Sequence, residues 1–344
     1  MATRRSRELF EQYWRAQARL GLDVRTRALS AWPMVNPRAL PLTGRMWLDL
    51  VLAAIRSSRE PSRRRARAFY RLYRAYETYS TVTLPGREPG RTTLGDLRRE
   101  WLYEIEEEFV PDDRDHDEIP EEPIDWPEPD DERADRAAIV SLVATGPGRV
   151  QQLVDELEEQ IRRDEERDRT HLDDRPAEPR RRLDDPEFLA ALDRAGRSAA
   201  NVTDYEASRA GRDLLDRVSR GDRRVRGWAR VTDGNPCAFC AMLASRGAVY
   251  RSHQSAGTTG DPRPDSMEGL TKYHPGCHCQ TVPVYSREDH VTAESRRLAE
   301  EWSTVTRGHV GDDARRVWRR HIEAQQRQRR RADNDRLLRR AREA

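Results

Sequence analysis

Lysine is almost absent from this chain: of 63 basic residues, Lys272 is the single lysine. So uniform a bias reflects codon pressure in a GC-rich genome, so one arginine by itself says little about function. Also missing is any apolar run near the roughly 20 residues of a membrane-spanning helix. Arg4 and Arg5 stand where an export signal would begin, but no apolar segment follows them. The expectation is no membrane partner and a reducing cytoplasm. Core-forming residues are scarce too: 36% of the 344 residues are hydrophobic and 36% charged, which suits small helical units better than one large core. H-E-x-x-H, G-x-S-x-G and D-[ST]-G, the spacings of zinc-peptidase, serine-hydrolase and aspartic chemistry, do not occur.

Cysteine is rare and confined. All four lie between Cys237 and Cys279, as Cys237-x2-Cys240 followed by His274-x2-Cys277-x-Cys279. A C-x2-C turn brings two sulfurs about 3.5–4 Å apart around an ion at roughly 2.3 Å, as tetrahedral zinc requires. His274-Pro-Gly-Cys277 can supply a second such turn. Cys237, Cys240, Cys277 and Cys279 would make a four-sulfur site, with His274 able to replace one of the last two; His278 and His253 are weaker donors. The donors suffice to close the coordination sphere, which predicts a structural rather than a catalytic ion. Disulfides, for which four cysteines allow three pairings, and redox or catalytic use of the thiols are the competing readings.

The net charge of +2 conceals segregation. Residues 104–135 hold 17 acids, 2 arginines and five prolines, a composition that predicts a solvated linker. Their cluster of Asp112, Asp113, Asp115 and Asp117 lacks the glycine turn and terminal Glu of a calcium loop. Residues 313–344 hold 12 arginines and 5 acids, suited to a phosphate backbone or to a docked helix.

Apolar spacing predicts helices through Leu9, Phe10, Tyr13 and Trp14, through Trp47, Leu48, Val51 and Ile55, and through Phe69, Tyr70, Tyr73 and Tyr76. These aromatic stripes serve either an internal core or docking onto a larger assembly. Further helices are expected through Val150 to Ile161, over residues 187–218 with a stop at Gly221 and Asp222, and from Ser295 onward. Short strands are expected around Trp228, at Val249 and Tyr250, and at Val282 to Tyr285. The predicted fold class is mainly α, extended and multi-segment, with a small α+β C-terminal Cys/His module stabilised by zinc. The divisions are an N-terminal helical region (1–103), the acidic linker (104–135), a second helical region (136–222), the Cys/His module (223–290) and an arginine-rich helical tail (291–344).

The run from Gly227 to Tyr250, with Asn235-Pro-Cys-Ala-Phe-Cys240 at its centre, and the closing Tyr273-His-Pro-Gly-Cys-His-Cys279 resemble the MuF-like minor head proteins of tailed bacteriophages, most closely the actinobacteriophage branch. The match covers about 60 residues. His278 stands where the family pattern has arginine. The resemblance implies a head morphogenesis protein that binds the portal protein and the major capsid or scaffold protein during procapsid assembly. It would act in the host cytoplasm and then in the virion head, with packaged DNA as a further partner of the tail. Members of this branch are also labelled capsid maturation proteases. Ser245, Ser252 or Ser255 with His253 or His290 and Asp261, or Cys237 or Cys279 with a histidine, are the combinations such a reading would need. A non-specific DNA-binding role inside the head is the third reading.

Overall fold

The computed structural model describes residues 4–170, 182–232, 234–251, 255–256, 279–286 and 292–343. The chain divides into two compact units, each assembled from segments distant in sequence. One comprises Met1–Ala16, Arg63–Pro127 and Gly211–Ala344, the other Gln17–Ser62 and Glu128–Ala210. The described residues are mainly helical, with a few short strands. Among them, no helix is long and apolar enough to cross a membrane.

The first unit takes the beginning of α1 (Arg4–Ala31) and the second half of α2 (Leu40–Thr78). These carry the aromatic stripes, and both stripes are core: Leu9, Phe10, Tyr13, Phe69, Tyr70 and Tyr73 are all buried. Tyr13 stacks on Phe69 at 4.3 Å between ring centroids, Phe10 meets Tyr73 at 4.7 Å, and Trp101 lies edge-on to Phe69 at 6.2 Å. Large rings at helical spacing bury more apolar area per residue than aliphatic side chains, which compensates for their small number. The core reading of the stripes therefore accounts for these residues. Trp101 belongs to α3 (Leu94–Ile105), which opens on a capping box between Thr93 and Asp96 and ends at Glu106 in the left-handed conformation, φ 60°.

Composition predicts a solvated linker over 104–135; the structure instead gives part of it regular structure. Strand β3 (Glu118–Glu122) lies between β1 (Thr81–Val82) and β2 (Arg91–Thr93), parallel to the first and antiparallel to the second. What orders it is charge pairing, which a hydropathy argument does not count. Arg71 reaches Glu121 at 2.6 Å and Arg74 reaches Glu122 at 2.5 Å, while Arg64 contacts Glu104 at 3.2 Å. The clustered aspartates are similarly engaged: Asp112 pairs with Arg5 at 2.8 Å, Asp115 with Arg98 at 2.5 Å and Asp117 with Arg114 at 2.8 Å. Ile119 adds one fully buried side chain, and Trp126 donates its indole N–H to the Thr83 carbonyl at 2.6 Å.

In the second unit, α4 (Asp131–Thr145), α5 (Pro147–Thr170) and the first part of α6 (Pro186–Gly221) join segments of α1 and α2. Its core is built on Trp32, Trp47, Ile55, Leu142 and Val150 against the small side chains Ala195, Ala199, Ala200 and Ala207 of α6. Trp32 and Trp47 meet edge to face at 5.1 Å, and Trp47 donates to the Ala28 carbonyl at 3.1 Å. Arg56 and Arg59 of α2 converge on Asp135 of α4 at 2.8 and 2.7 Å. Helix α6 ends at Gly221, at the stop expected from the sequence.

Candidate metal centre

The cysteine module lies in the first unit and begins with an antiparallel pair, β4 (Gly227–Val231) and β5 (Gln280–Val284), in register Ala229↔Val282. A bridge between Trp228 and Tyr250 extends it, so each of the three expected short strands takes part in pairing. A turn follows β4, with Gly234 at φ +78°, a conformation that glycine adopts without strain. Helix α7 (Ala238–Ser245) then starts with Cys237 as its N-cap: the Cys237 Sγ accepts the Cys240 N–H at 3.4 Å. The start of the helix thus holds the first sulfur of the C-x2-C against the backbone N–H of the second cysteine.

Cys279 arrives from the other side, as the residue leading into β5. Cys240 and Cys279 are both 1% exposed and share one cluster with the half-buried Cys237 and with Phe239. All three described cysteines are free thiols. Arg230 of β4 is fully buried, donates to the Cys240 Sγ at 3.2 Å and lies opposite Thr281 in the ladder. This arginine was not distinguished in the sequence, since one arginine among so many carries no signal; the β4–β5 register is what brings it to the sulfur. Next to Cys279, the Gln280 Oε1 is buried without a hydrogen-bond partner among the described residues.

His274 and Cys277, together with the weaker donors His278 and His253, lie outside the described residues. Among the described residues, no group of three or more Cys, His, Asp or Glu side chains is placed to hold a metal ion. Thiols are the donor type a soft ion takes, and Cys240 and Cys279 share a packing cluster with Cys237, but as placed these three sulfurs do not form such a group. Of the residues for the hydrolase combinations, Ser252, His253, Asp261 and His290 lie outside the described set as well. Of those inside it, Ser245 is buried in α7 and donates to the Met242 carbonyl at 2.8 Å, while Ser255 is exposed.

Two further helices, α8 (Ala293–Val305) and α9 (Gly311–Glu343), close over α7. Leu298, Trp318 and Ile322 pack on Ala241 and Ala244, and Trp302 meets Trp318 at 5.1 Å. Glu301 of α8 receives His321 at 2.7 Å and also Gln325. Burial pushes its carboxyl up, but these hydrogen bonds and the nearby Arg297 outweigh burial and hold it below the usual range.

The VG15 protein family matches residues 158–305, a span that contains the whole cysteine module. Gene 15 protein of Mycobacterium phage D29 is 32% identical over 109 residues, covering 26% of this chain and 40% of the relative. Gene 15 protein of Mycobacterium phage L5 is 36% identical over 87 residues, covering 18% of this chain and 30% of the relative. The chain thus spans less than half the length of these two relatives. No solved structure matches it. With the cysteine module inside the matched span, these similarities support a bacteriophage protein.

Proposed function

We propose that this chain is a MuF-like minor head protein that acts by binding during procapsid assembly, and that its C-terminal module is stabilised by structural zinc. The observation that carries the proposal is the meeting of Cys237, Cys240 and Cys279 on a helix start and a strand start. The hairpin and α7 are already packed, through Ala229, Val231, Val282 and Val284 and through Ala241 and Ala244, so an ion would add to that packing by tying the Cys237 turn to the start of β5. Cys237, Cys240 and Cys279 would be ligands, with the remaining place taken by Cys277 or His274. The relatives are phage proteins, which supports a role in the virion or its assembly.

The proposed partners are the portal protein and the major capsid or scaffold protein, met first in the host cytoplasm and then in the virion head. Because the aromatic stripes of α1 and α2 are buried, a docking contact through these helices would use what is exposed: Leu42, Met46 and Leu50, one row at four-residue spacing on α2. A second reading, contact with packaged DNA, draws on the exposed arginines Arg315, Arg316, Arg319 and Arg320 of α9.

The test is elemental analysis of chain purified without added metal, paired with an assembly assay of the same variants. About one zinc per chain is expected, lost in Cys237→Ser/Cys240→Ser together with incorporation into heads. A metal-free chain that still enters heads would refute the structural zinc; a zinc-bearing chain that leaves head composition and yield unchanged when omitted would refute the assembly role.

A further inference from the structure

The first turns of α2 carry two apolar faces, one filled and one open. Trp47, Val51 and Ile55 are buried in the core of the second unit. On the outward side Leu42, Met46 and Leu50 are 65%, 50% and 43% exposed. Single exposed leucines are ordinary on a protein surface, but large apolar side chains at four-residue spacing are neighbours and form a ridge. Arg45 and Asp49 each stand one residue before a member of this ridge, so both line the same flank; they are 82% and 69% exposed and 3.9 Å apart. Helix α4 runs alongside α2 in the opposite direction: Asp135 pairs with Arg56 at 2.8 Å, and at the far end a Cβ on Gly146 would lie 3.3 Å from the Trp47 ring. Between those two points α4 exposes Val140 and Val143.

The ridge is complementary to itself. Leu42 and Leu50 stand equally far from Met46, so the row reads the same in both directions. Across a twofold axis at Met46, an antiparallel second copy brings Leu42 onto the partner's Leu50 and Met46 onto the partner's Met46. In that register Arg45 is offset from the partner's Asp49 by two residues, about 3 Å of helix rise. The order along the seam is Asp49, Arg45, Arg45, Asp49, taken alternately from the two chains, so each long arginine leans away from the axis onto a carboxylate of the other chain. We propose that this ridge is a twofold interface through which two copies of the chain associate, with Leu42, Met46 and Leu50 as its apolar centre and crossed Arg45–Asp49 pairs setting its register. Val140 and Val143 extend the apolar area. The contact is small beside the roughly 800 Å² per partner of a standard interface, so association is weak and depends on concentration. The inference is independent of the zinc and head-protein readings; it gives the open face of α2 to a second copy and leaves portal and capsid contacts to other surfaces.

The experiment is sedimentation velocity of the full chain over a range of concentrations, with denaturation midpoints showing that each variant is folded. The wild type is expected to pass from monomer to dimer as concentration rises. Met46→Glu sets two carboxylates on the axis and should abolish the dimer. Asp49→Arg makes the seam wholly positive and should weaken the dimer by about 10-fold or more, whereas Arg45→Asp/Asp49→Arg restores opposite charges in exchanged places and should return to within about 3-fold of wild type. A chain that stays monomeric throughout, a dimer indifferent to Met46→Glu, or a double exchange no better than Asp49→Arg alone overturns the proposal. A monomer that binds portal or capsid protein and loses that binding in Met46→Glu also overturns it, and assigns the ridge to that partner.

Discussion

The Nε of Arg74 lies 2.8 Å from Oδ2 of Asp222, and the two residues are 1% and 8% exposed. Asp222 directly follows α6, where the sequence reads simply as a helix stop. The same carboxylate also accepts the Tyr70 hydroxyl at 2.7 Å, the Tyr285 hydroxyl at 3.3 Å and the Arg224 N–H at 2.9 Å. Arg74 in turn donates to Ser80 Oγ at 2.8 Å and to the Thr81 carbonyl at 3.1 Å. One buried ion pair therefore ties α2, the end of α6, the start of β1 and the residue after β5 into one unit. Burial by itself raises the Asp222 carboxyl, but the Arg74 guanidinium, the Arg224 N–H and the Tyr70 hydroxyl hold it below the ordinary range.

Asp222→Asn is expected to destabilise the first unit by about 3–5 kcal/mol, because it leaves the Arg74 guanidinium buried with its best counter-charge removed. Chemical denaturation of the full chain checks this. The double change Arg74→Met/Asp222→Leu is not expected to recover the loss, since it also strips partners from the Tyr70 and Tyr285 hydroxyls and the Thr81 carbonyl. A loss under 1 kcal/mol for Asp222→Asn would mean that the pair contributes no more than a surface contact.

Acid should weaken the same unit. Burial opposes ionisation of Glu122, but Arg224 and Arg74 pull its carboxyl down from 4.5 to about 2. A carboxylate lowered on folding contributes stability that is complete above its unfolded value and lost as pH falls through the folded one. Melting temperature should therefore hold above about pH 4.5 and fall between there and pH 2, with Asp222 acting in the same direction. Melts at pH 7, 4.5 and 3 test this, and Glu122→Gln should flatten the decline.

In the second unit, a Cβ on Gly196 would lie 2.5 Å from Nε1 and Cδ1 of Trp32. That indole donates to the Leu192 carbonyl one turn earlier on α6, at 3.2 Å. Gly196→Ala should force the ring away and cost about 1–3 kcal/mol by overpacking, despite the better helix propensity of alanine. Arg197→Ala, whose side chain is 55% exposed, should stay within about 0.5 kcal/mol. Denaturation midpoints that rank the two variants the other way would contradict the packing seen at Trp32.

Periodicity alone located the helices through Tyr13, Trp47, Tyr73 and Val150 and the stop at Gly221, because a single local pattern suffices to place them. The C-x2-C turn was legible for the same reason: its spacing is a local property. The acidic segment was not. Its acids read as solvated until their partners are known, and those partners, such as Arg71 for Glu121, lie about fifty residues away. Among so many arginines, no rule of composition picks out Arg71, Arg74 or Arg230.

Sequence by itself determined the helical class, the cysteine clustering and the resemblance that pointed to a phage head. All three depend on residue type and short-range spacing. Tertiary structure decided which arginines became structural, which face of the tail helix reaches the Cys237 turn, and that Cys240 and Cys279 share one buried cluster. Those outcomes depend on contacts between residues far apart in the chain, and the geometry of such contacts exists only once the chain has folded.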